Sequence, residues 1–370
     1  MQEATTMKVV DLFAGCGGFS VGFSKAGNEI VKAVEFDASI AETYKRNHPN
    51  TKVIVDDIKN VDETNVFKRG ECDVIVGGPP CQGFSMAGAR IRSGFIDDPR
   101  NYLFKHYFNV VKKIHPKAFV IENVKGIMTM QNGEIFREII RLFSDKTNFN
   151  GVSYNVFTKV LKAVEFGIPQ KRERVVIIGY RGKKADVDEI WEKTKEEILS
   201  VIPTYFDEVT VEDAIGNLPS VTDDGEIKRP KPQTAYQKYL AGTDVSIKNH
   251  AKTHHSSIAE KRMKKVAQGE NFTALKENIK SVHSGSYGRL EWNKPSQTVT
   301  TRFDTPAGGR FTHPTENRTI TPREAARLQS FPDDFVFYGN RTSICKQIGN
   351  AVPPKISFFL AKFIANILEG

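Results

Sequence analysis

The sequence predicts an α/β protein built on a doubly wound, mostly parallel sheet, with a smaller and irregular region following it. Three observations carry this. Short Val/Ile-rich runs recur from Lys8 with helical patterns between them: VVDLF, IVKAVEF, KVIV, DVIVGG, AFVIEN and RVVIIGY. Strands buried on both faces and joined by crossover helices read this way. The alternation stops at Gly182, where a charged, helix-like stretch (183–200) leads into a region with many turns and no clear period. A helical signature returns in TPREAARLQSF, with Pro322 at a first-turn position, and in the closing run 354–368. The expected division is a sheet domain over 1–184, an irregular domain over 185–318, and elements over 319–370 that rejoin the first.

A chain of 370 residues that is 39% hydrophobic supports a sizeable core. Its four cysteines, Cys16, Cys72, Cys81 and Cys345, form no C-x-x-C pair. That argues against a disulfide framework or a zinc knuckle and fits a reducing cytoplasm. No charged-then-apolar leader is seen, and the apolar run 356–368 is short and interrupted by Lys362, so no membrane partner is expected. The formal charge is +9, and between Lys228 and Lys265 ten basic residues face only Asp244 and Glu260. Such a local excess fits a phosphate-rich partner.

The strand ends carry the chemistry. The first strand runs into Gly15, Gly17 and Gly18, where glycines let backbone amides and a ligand approach closely. A nicotinamide oxidoreductase needs G-x-G-x-x-G, and Ser20 stands at the third glycine. The second strand ends at Glu35, suited to ribose hydroxyls, and the third at Asp57, suited to an adenine amine. The fourth leads through Pro79 and Pro80 to Cys81. A lone cysteine is ordinarily a buried structural thiol, but such a thiol needs no Pro-Pro turn before it. The fifth ends in Glu122 and Asn123, and FGIPQKRERVVIIGY brings Gln170, Arg172 and Arg174 to the start of another. A nucleophile, an acid and a cation therefore converge; the plain alternative for Glu122 with Arg174 is a structural salt bridge of the domain. The stretch from Gln82 to Arg100, with Gly83, Gly88, Gly94, Arg90 and Arg92, reads as a lid.

These motifs, in order DLFAGCGGFS, the Glu35 strand end, Asp57-Ile58, GGPPCQGFS, IENV, QKRER, TPREAARLQSFP and QIGNAVPP, resemble the cytosine-5 DNA methyltransferase family across almost the full chain. The resemblance implies the S-adenosyl-L-methionine-dependent methyltransferase fold, with S-adenosyl-L-homocysteine as product and no metal. It implies cofactor contacts from the first turn (Phe13, Ala14, Gly15, Cys16, Gly17, Gly18), from the next strand ends (Glu35, Phe36, Asp57, Ile58), and from Pro80, Leu103, Asn350 and Ala351. Cys81, Glu122 and Arg174 become the catalytic set, with Arg172 beside them and Asn123 bracing the Pro80-Cys81 turn. The substrate implied is double-stranded DNA with its target base flipped out, touched by Gln82, Ser85 and Arg90 of the lid. The region 185–318 resembles the variable recognition domain, with Thr298-Val299 as its anchor.

Arg289, Arg302 and Arg310 flank that anchor, and Arg289 is the first choice for reading guanine, because it follows the glycine turn 285–288 and arginine bridges O6 and N7. His250, His254 and His255 lack ligand-spaced partners for a metal. The resemblance further implies a monomer, cytoplasmic and associated with the nucleoid, paired in function but not physically with a restriction endonuclease. Two alternatives remain. A transfer-RNA methyltransferase on the same scaffold carries Cys-Phe-Thr in the recognition domain, and 185–318 holds no cysteine. A catalytically silent DNA-binding relative sits poorly with intact Cys81, Glu122 and Arg174.

Overall fold

The computed structural model describes residues 6–61, 66–80, 102–277, 279 and 284–369. Its chain divides into two compact units, the first formed by residues 1–161, 173–201 and 356–370 and the second by 162–172 and 202–355.

The first unit holds the expected sheet. Its strands are β1 (Lys8–Leu12), β2 (Glu29–Glu35), β3 (Lys52–Val55), β4 (Val74–Gly77), β5 (Ala118–Val124), β6 (Asn155–Lys162) and β8 (Glu173–Tyr180), a short β7 (Gln170–Lys171) belonging elsewhere. They lie in the order β3-β2-β1-β4-β5-β8-β6. Neighbours from β3 to β5 are parallel, whereas β8 runs antiparallel to β5. Strand order turns back at β1 and β4, and a crevice beyond the C-terminal ends of such strands is where open α/β sheets bind ligands.

Local chemistry sets the helices. Helix α1 (Gly18–Lys25) starts from Gly17, and α2 (Ala38–Asn47) starts where the Asp37 carboxylate accepts the amides of Ser39 and Ile40. Helix α3 (Tyr102–Ile114) lays Phe104, Tyr107, Phe108 and Val111 into a core with Ile75, Phe119, Ile121 and Phe143. Strand β6 escapes the sequence reading because its residues are mostly half-buried and mix Asn, Thr and Lys with its apolar positions.

The division near residue 185 needs correcting. Helix α4 (Val187–Val201) stays in the first unit: Trp191 packs on Phe359 and Phe363 of the closing helix Pro354–Glu369, and Asn366 donates to Thr194 and Glu197. Conversely, 319–355 does not rejoin the sheet, which only the chain from Ile356 does. The closing helices, Arg341–Asn350 and Pro354–Glu369, are together long and apolar enough to cross a membrane, but 78% of that apolar window is buried within the protein.

The second unit has little ladder. It contains β9 (Ile227–Lys228) paired antiparallel with β10 (Ser246–Ile247), and β7 paired parallel with β11 (Ser296–Gln297). Buried arginines hold it instead. Arg323 donates to the carbonyls of Lys248, Pro332 and Phe335; Arg327 grips Asp333 and reaches the Ala214 carbonyl and Asn217. Arg318 forms a fork with Glu324, whose carboxyl, despite its burial, is drawn down to about 2 by that guanidinium.

Gly17 has φ +102, and a Cβ there meets His48 Nε2 at 2.6 Å. Gly17→Ala is therefore expected to lower the denaturant-measured stability by about 1–3 kcal/mol, and an unchanged midpoint contradicts this packing.

Candidate active site

At the end of β1 the chain turns on Phe13 (φ 56), Gly15 (φ 55) and Gly17. A non-glycine residue such as Phe13 held in the left-handed region marks a constrained site. Ala14 N bonds the Val34 carbonyl at 3.0 Å, tying the turn to β2. Gly15 N donates to Glu35 Oε2 at 2.9 Å and Asp37 N to Glu35 Oε1 at 3.0 Å. The Glu35 carboxyl is buried, which raises its pKa against the lowering effect of these amides. Each oxygen keeps a further lone pair for a hydroxyl. A Cβ on Gly15 meets nothing within 4 Å among the described residues, so these leave the turn open on that side. Beside Glu35 the Phe36 ring stands 71% exposed, an apolar platform. Asp57 is half-buried, its carboxylate taking the Lys59 amide at 3.1 Å and facing the Lys59 ammonium at 3.4 Å.

Not every residue of that turn offers a side chain. Cys16 is 1% exposed, and burial pushes its thiol up; Gly18 is buried in α1, and Ile58 sits in the core on which Phe13 and Leu103 pack. Neither Cys16 nor Ile58 presents its side chain at the surface. One residue of the site went unread in the sequence: Asp11, an acid within a buried strand, with the Ser20 hydroxyl 2.6 Å from Oδ2. A charge inside VVDLF is the signal that could have found it.

At the ends of β4 and β5 the expected convergence is seen in part. Arg174 Nε lies 3.1 Å from Glu122 Oε1, with the side chains 19% and 12% exposed. The register explains the meeting, since Glu122 faces Val176 and Arg174 stands two residues before it, on the same side of the sheet. Gly78 permits the close approach of β4, a Cβ there lying 3.3 Å from Glu122 Oε2. Asn123 Nδ2 donates to the Pro79 carbonyl at 3.0 Å and its Oδ1 takes the Val124 amide at 2.8 Å, so the brace falls one residue before Pro80. Pro80 is exposed. Cys81, Gln82, Ser85, Arg90 and the lid 82–100 lie outside the described residues.

In the second unit, two expectations are corrected. Arg172 is 2% exposed and donates to the carbonyls of Gly349 and Ala351. It braces the segment carrying Asn350 and Ala351 rather than presenting a cation to a substrate. Arg289 is 5% exposed, and its guanidinium is spent on the carbonyls of Val266, Met263, His313 and Glu316 and on Asn317 Oδ1. A fork so occupied cannot read a base. The glycines before it serve another purpose, because a Cβ at Gly288 would collide with Arg310 Cγ. Arg310 in turn donates to the Gly269 carbonyl at 2.7 Å. Arg302 is exposed, and among the described residues its guanidinium makes only a long 3.4 Å contact, to Thr305.

The Thr298-Val299 anchor is held by the QKRER segment: the Thr298 hydroxyl donates to the Lys171 carbonyl, and Val299 N donates to Gln170 Oε1, both at 2.8 Å. His250 bridges Thr321 and the Pro219 carbonyl, and His255 bonds Thr319. Of the basic run on helix Ser257–Lys265, Arg262 and Lys265 pair with Glu277, leaving Lys261 and Lys264 exposed.

A glycine turn with acids at the second and third strand ends, on a sheet of this order, defines the methyltransferase class of α/β fold. The C-5 cytosine-specific DNA methylase profile matches residues 7–366. The chain is 36% identical to the Type II methyltransferase M1.HphI of Haemophilus parahaemolyticus over 364 residues, covering 97% of this chain and 87% of that protein. It is 34% identical to the Type II methyltransferase M.DdeI of Desulfomicrobium norvegicum over 391 residues, covering 98% and 90%. A prophage-encoded E. coli protein described as a DNA modification methyltransferase superposes with a TM-score of 0.75 at 28% identity, covering 99% of this chain and 100% of the other. The chain belongs to the C-5 cytosine-specific DNA methylase family and is a DNA (cytosine-5-)-methyltransferase.

Arg289→Ala leaves several carbonyls without donors and is expected to cost about 3 kcal/mol or more in urea unfolding. Relative methylation rates on duplexes varied one base pair at a time should keep their pattern; a loss confined to one base pair would return Arg289 to a reading role.

Proposed function

We propose that the chain methylates carbon 5 of a flipped-out cytosine in a specific duplex sequence, with S-adenosylmethionine as donor and through a covalent bond from Cys81 to cytosine C6. The observation that carries this reading is the shielded Glu122–Arg174 pair at the sheet edge, beside a Pro79-Pro80 turn that Asn123 holds and that leads directly to Cys81. Cytosine C5 is a poor nucleophile, and thiolate addition at C6 turns the ring into an enamine able to attack an electrophilic methyl; loss of the C5 proton to a base then expels the Cys81 thiolate and restores the ring. Glu122 holds a proton at cytosine N3 and Arg174 holds O2 while the ring carries this addition. None of this is reachable inside a stacked duplex, so the base is extruded at a cost of a few kcal/mol.

The residues of the first unit fit the donor. Glu35 offers spare lone pairs to a ribose, Asp57 a carboxylate to an adenine amine, Phe36 an exposed ring, and the Gly15 turn open space. When bound, S-adenosylmethionine supplies the activated methyl group. Reading of the duplex falls to the second unit, where Arg302 replaces Arg289 as first candidate because its guanidinium is exposed. The relatives named Type II methyltransferases support a role in protecting cytoplasmic DNA from a restriction nuclease, with which the chain pairs in function.

Cys81→Ser is expected to abolish methyl transfer to duplex DNA while binding of the donor stays near wild type, and turnover at the wild-type rate would sink the covalent route. Duplexes carrying 5-fluorocytosine at the target should yield a denaturant-stable adduct, because fluorine cannot leave as a proton; transfer RNA tested alongside should accept no methyl. Replacing Lys261 and Lys264 by Ala should reduce the slope of log K against log salt by up to about 2, one for each phosphate that is no longer neutralised. An unchanged slope places this helix face away from DNA.

A further inference from the structure

Asp11 sits within β1 opposite Ala33 of β2 and Val76 of β4. Side chains two apart on a strand share a face, so Asp11 lies on the side of the sheet that carries, two residues beyond Ala33 on β2, Glu35. It is 1% exposed. The Ser20 hydroxyl lies 2.6 Å from Oδ2 and 2.6 Å from the Tyr44 hydroxyl, while Oδ1 is buried with no hydrogen-bond partner among the described residues. The titratable groups facing it are Glu35 from β2, Cys16 from the turn, Tyr44 from α2 and Tyr107 from α3. His48 lies behind Tyr44, held neutral because burial drives its pKa down to about 4. No cation is among these groups. Burial pushes the Asp11 carboxyl up to about 7, against the lowering effect of Ser20 and with the help of Glu35.

We propose that Asp11, buried on the Glu35 side of the sheet with no counter-cation among the described residues that face it, lets the pocket tell the methyl donor from its spent product by giving up a proton when a sulfonium-bearing ligand enters beside Glu35 and keeping it beside the uncharged thioether. The proposal rests on the reading of the Glu35 pocket as the cofactor site. S-adenosylmethionine and S-adenosylhomocysteine differ by one methyl and one positive charge, and a buried acid lacking a counter-cation responds to that charge far more strongly than solvent-exposed groups do. The sign follows from linkage. A cation favours the ionised form, so donor affinity rises as pH passes upward through about 7 and then levels, whereas product affinity stays flat.

The test is isothermal titration calorimetry of the full chain with S-adenosylmethionine and with S-adenosylhomocysteine, in buffers of different ionisation enthalpy from pH 6 to 8.5. Donor binding near pH 6.5 is expected to release on the order of half a proton and product binding almost none, and the donor-to-product affinity ratio to rise several-fold by pH 8. Asp11→Asn should remove both the release and the pH dependence of the ratio while the product still binds. Ser20→Ala, which removes the hydroxyl beside Oδ2, should move the release to higher pH, and it tests the idea even if Asp11→Asn folds poorly. Equal proton release with both ligands, or release that persists in Asp11→Asn, overturns the role of Asp11 and leaves the pocket reading intact. If neither ligand binds, the pocket reading falls and this proposal with it.

Discussion

Because β8 runs antiparallel to β5, the residues that begin it stand at the edge of the sheet where the parallel strands end, and Arg174 meets Glu122 there. In an all-parallel sheet, the start of a strand lies at the opposite edge from its neighbours' C-termini, about 20 Å away for a strand of this length. One reversed strand thus adds a basic group to an edge that the other strands furnish with acids and a turn. A pair this shielded from water returns little net stability against its desolvation.

The strand ends were legible because their signals are local: an apolar run, a turn residue and then a polar group fall within a dozen positions, as in VVDLFAG and DVIVGGPP. The same locality exposed Glu35, Asp57 and the Glu122–Arg174 convergence. Strand β6 was missed because a half-exposed strand with Asn155, Thr158 and Lys159 has no strong pattern. The unit boundaries were misplaced for a different reason. Gln170 and Lys171 belong with Ser296 and Gln297, and nothing in either segment alone announces a partner more than a hundred residues away.

Arg289 is the clearest failure of sequence reading. Its neighbours in sequence, a glycine-rich turn and an anchor motif, suit a base-reading loop, but its environment is set by four carbonyls from residues 263, 266, 313 and 316. Arginine's five donors in a fixed fork serve a buried cluster of acceptors as well as a guanine edge, and composition does not distinguish the two. With Arg172, Arg289, Arg318, Arg323 and Arg327 all buried, part of the formal charge that suggests a phosphate-rich partner lies inside the protein. The surface field is smaller than the count implies.

That arginine-built interior bears on how such a unit can change. In a sheet every strand is in register with its neighbours, and a one-residue insertion displaces a whole row of contacts. In the second unit the carbonyls of Lys248, Pro332 and Phe335 are each met separately by Arg323, and those of Met263 and Val266 by Arg289. Loops strung between such fixed points can lengthen, shorten or exchange residues without shifting any ladder. The scaffold is therefore free to acquire new surface loops while the sheet that holds Glu35 and Glu122 stays as it is.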